Sequence, residues 1–192
     1  MKSSPENAFS GEFRTFWDRH FGPLAPLPHV LRTALPDRWF RAHSLPNSVR
    51  YAKTPAEMDT VLMRYRTLAA EVLLEGEECW MLCGTTTSPN ARGRYHPSLD
   101  YSTLSPLGQF SHDGDEWWLF GQAAPWAFQE TIALMEQVAE GLEGTLLVAS
   151  QKTGEVFAPY DGGCDLIVNS PGRAALLWDR YRAWRSSEPS GL

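Results

Sequence analysis

Cysteine is scarce in this chain, long apolar runs are missing, and basic charge is in deficit. Each shortage removes a class of protein. Three cysteines in 192 residues are too few, and odd in number, for a disulfide framework, so a reducing compartment, the cytoplasm, is expected. No run reaches the roughly 18 apolar residues of a membrane span, and the opening MKSSPENAFSGEF lacks the apolar core of a signal peptide. No membrane partner is therefore expected. With 17 basic against 23 acidic side chains the formal charge is −6, which opposes general attraction to phosphates, so no nucleic-acid partner is expected either.

Catalytic signatures are also missing. No phosphate loop and no dinucleotide fingerprint occurs. The five histidines, His20, His29, His43, His96 and His112, form neither a His-x-x-x-His nor a Glu-x-x-His pair. Ser111-His112-Asp113 holds triad residue types side by side, whereas a working triad brings them from separate elements. It reads as a polar entry into the next strand. Cys79 and Cys83 fall in one strand, four residues and about 13 Å apart by strand rise, too far for a disulfide or a shared zinc ion. They read as buried, inert thiols. No cofactor and no metal is expected.

The hydrophobic fraction of 43% in a chain of this length suffices for one well-buried core, so a single α+β domain over residues 1–192 is expected. Phe13, Phe16, Trp17 and Phe21 recur at helical spacing. The proline-rich stretch GPLAPLPHVLRTALP reads mainly as an ordered wrap. RWFRAHSL reads as a strand. Thr54-Pro55-Ala56-Glu57 supplies an N-cap, a proline at the first helical position and the third-position glutamate of a capping box. Met58, Val61, Leu62, Tyr65, Leu68, Val72 and Leu73 then mark one apolar stripe.

Strands are expected at 78–85 and 116–123, and a helix over 125–140. TLLVASQ, EVFAPY and DLIVN form an expected three-stranded antiparallel meander. A last helix begins at Ser170-Pro171. The sum is a mainly antiparallel sheet of five or six strands with four helices. Several strands are apolar on both parities, so four helices are expected to leave one face partly bare unless they and the wrap cover both.

The turn FAPYDGGCDLIV raises the possibility of hard-cation binding by Asp161 and Asp165. An EF-hand series of oxygen ligands is missing, however, and a structural bend is the reading adopted. Tyr160, Asp161, Gly162, Gly163 and Asp165 build it, the two glycines taking positive φ and Asp161 bonding its own backbone. Cys164 is expected to be the most exposed thiol. Residues 84–114 form a polar stretch too long for a routine connection. Within it Arg92, Arg94, Tyr95, His96, Asp100 and Tyr101 make an arginine-aromatic set suited to partner contact, or else to a solvated insertion. Among eight tryptophans, Trp39, Trp117 and Trp118 are candidate exposed anchors. Arg173, Arg180, Arg182 and Arg185 fit an acidic partner or plain solvation.

The blocks RAHSLPNSVRYAKTPAEMDTVLMRYRTLAAEVLLEGEE and EVFAPYDGGCDLIVNSPGRAALLWDRYRAWRSSEPSGL resemble a widespread bacterial family of small uncharacterised proteins. Such proteins end in an aromatic-x-Pro-Tyr-Asp turn, an aspartate-led strand and a helix with Tyr and Trp. In architecture they are similar to the SMI1/KNR4 group of immunity-type modules. The resemblance implies a non-catalytic immunity protein that neutralises a cognate toxin by direct binding; it carries no catalytic residues. Two alternatives stand beside it, a small-metabolite enzyme using Asp161, Asp165, His96 and Cys164, and a secretion adaptor or chaperone.

Overall fold

The computed structural model of the chain describes residue 9 and residues 11–86, 104–141 and 145–185. Among them stand five α-helices, α1 (Gly11–Phe21), α2 (Pro28–Ala34), α3 (Pro55–Val72), α4 (Ile132–Ala139) and α5 (Pro171–Arg180). The strands are β1 (Trp39–His43), β2 (Glu78–Thr85), β3 (Ser105–His112), β4 (Asp115–Pro125), β5 (Thr145–Ser150), β6 (Val156–Tyr160) and β7 (Gly163–Ile167). They form one sheet in the order β1-β7-β6-β5-β2-β4-β3. All six pairings are antiparallel. The α+β class holds, with seven strands and five helices rather than five or six and four.

The added helix is α2. Pro28 occupies its first turn, where the missing N–H costs nothing, and Pro36 opens a 3-10 turn just beyond its end. The proline-rich wrap therefore contains a helix between its prolines. The added strand is β3, joined to β4 by a two-residue turn in which His112 pairs with Asp115. Asp113 and Gly114 have φ of 53° and 91°, the left-handed pair that a right-twisted hairpin needs. The expected helix over 125–140 is shorter. Pro125 still belongs to β4, and a 3-10 turn at Phe128–Thr131 precedes α4.

Elsewhere local signals set local structure. The Thr54 side chain accepts from the Glu57 N–H, and the Glu57 carboxylate accepts from the Thr54 N–H, closing the capping box of α3. β5, β6 and β7 lie side by side as the meander.

Apolar residues on both parities find partners on both faces. Phe40, Leu146, Val148, Phe157 and Leu166 pack under α3, α4 and α5 with Tyr65, Leu68, Met135 and Leu177. Trp80, Leu82, Leu119, Leu147 and Ile167 pack on the other face with Phe13 and Trp17 of α1 and Leu31 of α2. Among the described residues no broad face is left bare. The exposed large apolar side chains, Val49, Tyr51, Met63, Leu74 and Leu176, are dispersed through the sequence. At the end of the sheet where β6 turns into β7, a cleft opens beside α2.

Candidate functional site

The cleft is about 260 Å³ in volume, and α2 contributes Pro28, His29 and Arg32 to its wall. Arg41 enters from β1, Tyr160 from the end of β6, Asp165 from β7 and Asp161 from the turn between those strands. The register explains the convergence. Arg41 lies directly opposite Asp165, and Ala158 opposite Asp165. Alternation along β6 then puts Tyr160 on the same face as Ala158.

Asp165 is the electrostatic centre. Its side chain is 3% exposed and accepts Arg41 Nε at 2.7 Å and Nη2 at 2.9 Å, a bidentate grip. Trp39 Nε1 donates to the same carboxylate at 2.8 Å. Burial works against the Arg41 charge, but the hydrogen bonds and charge of Asp165 outweigh it and raise the guanidinium pKa. The Arg41 guanidinium also lies 4.9 Å from the Tyr160 ring centroid and 5.4 Å from that of Trp39. Burial is the main reason that the Tyr160 phenol titrates far above its ordinary range. It stays neutral and remains a donor.

Arg32 differs. Its Nη1 lies 3.9 Å from Asp165 Oδ2, beyond hydrogen-bond reach, while its guanidinium sits 5.7 Å from the Trp39 ring. No described residue accepts a hydrogen bond from it. Stacking on Trp39 and the nearby charge of Asp165 hold its planar donors at the cleft wall.

Asp161 holds the turn in a manner that the sequence did not suggest. Its carboxylate accepts Arg50 Nε and Nη2, both at 2.9 Å, and Tyr51 Oη at 2.6 Å. It ties the turn to the segment before α3, and does not bond its own backbone. Gly162 has φ of +127°, whereas Gly163 does not adopt the left-handed region. Gly163 pairs with both His43 and Tyr160, and a Cβ there would run into the Ala42 carbonyl oxygen. Close approach of β1, rather than a positive φ, requires this glycine.

Cys164 is a correction. The turn is complete at Gly162, so Cys164 already belongs to β7 and is fully buried on the face opposite Asp165. Burial pushes its thiol pKa well up, and burial lifts Cys79 and Cys83 to about 12. All three thiols are free and buried. An aromatic disulfide reagent at pH 8 is expected to leave the native protein unlabelled and to label all three after unfolding. Rapid labelling of one thiol in the native state would contradict this.

Trp39 is also corrected. It is buried, at 9% exposure, between Asp165 and Trp178, whose Nε1 donates to the Trp39 carbonyl. Trp117 and Trp118 are half-buried and belong to opposite faces. Trp117 stacks on Phe110 and approaches Gly84, near the cleft. Arg92, Arg94, Tyr95, His96, Asp100 and Tyr101 lie outside the described residues. On α5, Arg173 and Arg180 pair with Glu155 and Glu71 of the same chain, and Arg185 covers Trp178. Ser111 donates to Glu116 rather than to His112, so the adjacent Ser-His-Asp residues make no triad.

Sequence reasoning missed Arg32, Arg41 and Trp39 as partners of Asp165. They lie more than 120 residues from it, and no local pattern announces that β1 and α2 meet β7. Among the described residues, no helix is long and apolar enough to cross a membrane. No curated protein and no solved structure matches the chain. The family described as Domain of unknown function (DUF3885) matches residues 27–189, the span that contains the cleft and the whole sheet, and the chain belongs to that family.

Proposed function

We propose that the protein acts by binding a protein partner through this cleft, without making or breaking bonds. The observation that carries the reading is the engagement of the cleft's two carboxylates together with its size. Asp165 and Asp161 are each engaged by an arginine and by a ring N–H or O–H donor, and Cys164 faces the other way. At about 260 Å³ the cleft falls below the roughly 300–1,000 Å³ of pockets that enclose a small-molecule ligand. It fits one or two side chains. Arginine and aromatic groups in a partly desolvated recess are the residue types that dominate binding energy at protein interfaces.

Arg32 supplies the specific contact, a bidentate hold on one carboxylate of the partner. The net charge of −6 favours encounter with a surface that is basic as a whole, and the arginine then fixes the register. In its finer form the partner is a toxin encoded beside this chain, which the protein neutralises as an immunity protein. A kinship with SMI1/KNR4-like modules belongs to that finer form. Coexpression with the product of each adjacent gene tests it. Rescue of growth by the wild-type chain is expected, with loss of rescue on Arg32→Gln in a chain that still folds. Rescue that survives Arg32→Gln, or the lack of a toxic product from any neighbouring gene, would contradict it.

A further inference from the structure

A second cluster stands at the mouth of the cleft, built from α2 and the β3–β4 hairpin. The donor atoms of His29, His112 and Asp113 all lie within 4.8 Å of one another. His112 Nε2 and Asp113 Oδ2 are 3.4 Å apart. The two imidazole rings are 5.3 Å apart between centroids. We propose that His29, His112 and Asp113 form a transition-metal site, suited to Zn²⁺ rather than to Ca²⁺ or Mg²⁺, with three protein ligands and one open position beside the cleft.

The distances carry the proposal. Metal bonds of about 2.0–2.2 Å in a tetrahedral shell place donor atoms roughly 3.3–3.6 Å apart. The His112–Asp113 pair already has that separation. The His29 donor atom lies within 4.8 Å of the other two, so it has at most about 1.5 Å to close to reach that spacing. The Asp113 side chain is 84% exposed and free to choose its rotamer, while its backbone is held in the left-handed hairpin turn. Imidazole and carboxylate together suit zinc better than calcium or magnesium, which take oxygen donors alone.

The ring geometry fits as well, since the His29 and His112 imidazoles stand 5.3 Å apart between centroids and are tilted by 46°. Two rings at this spacing would repel if both were protonated; a shared cation makes the spacing favourable. His29 also lines the cleft, which puts the fourth position within reach of water or of a donor atom brought in by whatever fills the cleft. The site does not depend on how the cleft is used.

Tag-free full-length protein, stripped with a chelator, is titrated with Zn²⁺ by calorimetry and with Co²⁺ by visible absorption. One saturable equivalent is expected, with tetrahedral or five-coordinate Co²⁺ bands. Zinc is expected to raise the melting temperature, because it joins α2 to the hairpin only in the folded state. His29→Ala and His112→Ala should each weaken binding about tenfold or more, since even outer-shell partners of a ligand matter that much. Asp113→Asn, which keeps a residue suited to the turn, should weaken it likewise and guards against misfolding of the other two. Failure of the wild-type chain to take up a saturable equivalent, or unchanged affinity in the folded variants, would overturn the proposal.

Discussion

Replacing Asp165 by alanine is expected to cost about 3–5 kcal/mol of folding stability, the range for removing one partner of a buried ion pair. The reason is what remains behind. Arg41, with a side chain 12% exposed, would keep its charge and lose its bidentate counter-ion. Trp39 Nε1 would lose its acceptor as well. Against a typical stability of about 5–15 kcal/mol this is a large fraction, visible as a lower urea midpoint in a denaturation curve followed by tryptophan fluorescence. Removing both charges with Asp165→Leu and Arg41→Met should recover much of the loss, because well-packed apolar groups often replace a buried pair without penalty. A cost below about 1 kcal/mol for Asp165→Ala would mean that water screens the pair, and that the cleft floor is not the rigid element described above.

Gly163→Ala is the second large effect, expected at about 3 kcal/mol, the upper end for overpacking in a tight interior. A Cβ there meets the Ala42 carbonyl and lies 2.8 Å from the Tyr160 oxygen. One obstacle is backbone, which cannot rotate aside. Because β1 is an edge strand paired only with β7, the economical relief is for β1 to separate from β7, taking Arg41 away from Asp165. Limited proteolysis should then cut the segment around β1 in the variant and spare it in the wild type. Gly172→Ala, where nothing lies within 4 Å of the added carbon, provides the contrast. It should be neutral or stabilise by about 0.4–1 kcal/mol through the unfolded chain. Equal stability of the two variants would contradict the packing account of β1.

Much of the local structure was legible because its causes are local. The capping box at Thr54 and Glu57 announced α3, and the runs TLLVASQ, EVFAPY and DLIVN with the Asp161-Gly162 turn announced the β5–β7 meander. Two elements were overlooked although their signals were present. Asp113-Gly114 is a two-residue hairpin signal, but the long polar stretch before it masked β3. Pro28 read as a breaker although proline suits the first turn of a helix, so α2 was absorbed into a wrap. The error about Gly163 has a different origin. Its neighbour, the Ala42 carbonyl, is about 120 residues away in the chain, and only the β1–β7 register brings it close.

The cleft itself was hidden for the same reason. Tyr160, Asp161 and Asp165 could be picked out as a group, yet their roles come from Arg41 and Trp39 of β1, Arg32 of α2 and Tyr51 of the segment before α3. Cys164 was misjudged because strand parity decides its face, and the parity depends on where the turn ends. His29 and His112 share no sequence spacing at all. A search for metal-binding spacings passes over ligands contributed by separate elements.

On the proposed reading, the protein works by holding a partner against Arg32 in the cleft. Calorimetric titration of the coexpressed partner against the wild type, Arg32→Ala and the exposed control Arg14→Ala tests it most directly. The account predicts that Arg32→Ala weakens the complex roughly 30-fold, the effect of losing a hot-spot arginine, while Arg14→Ala leaves affinity unchanged. Equal affinity for all three proteins, with Arg32→Ala folded as well as the wild type, would contradict it.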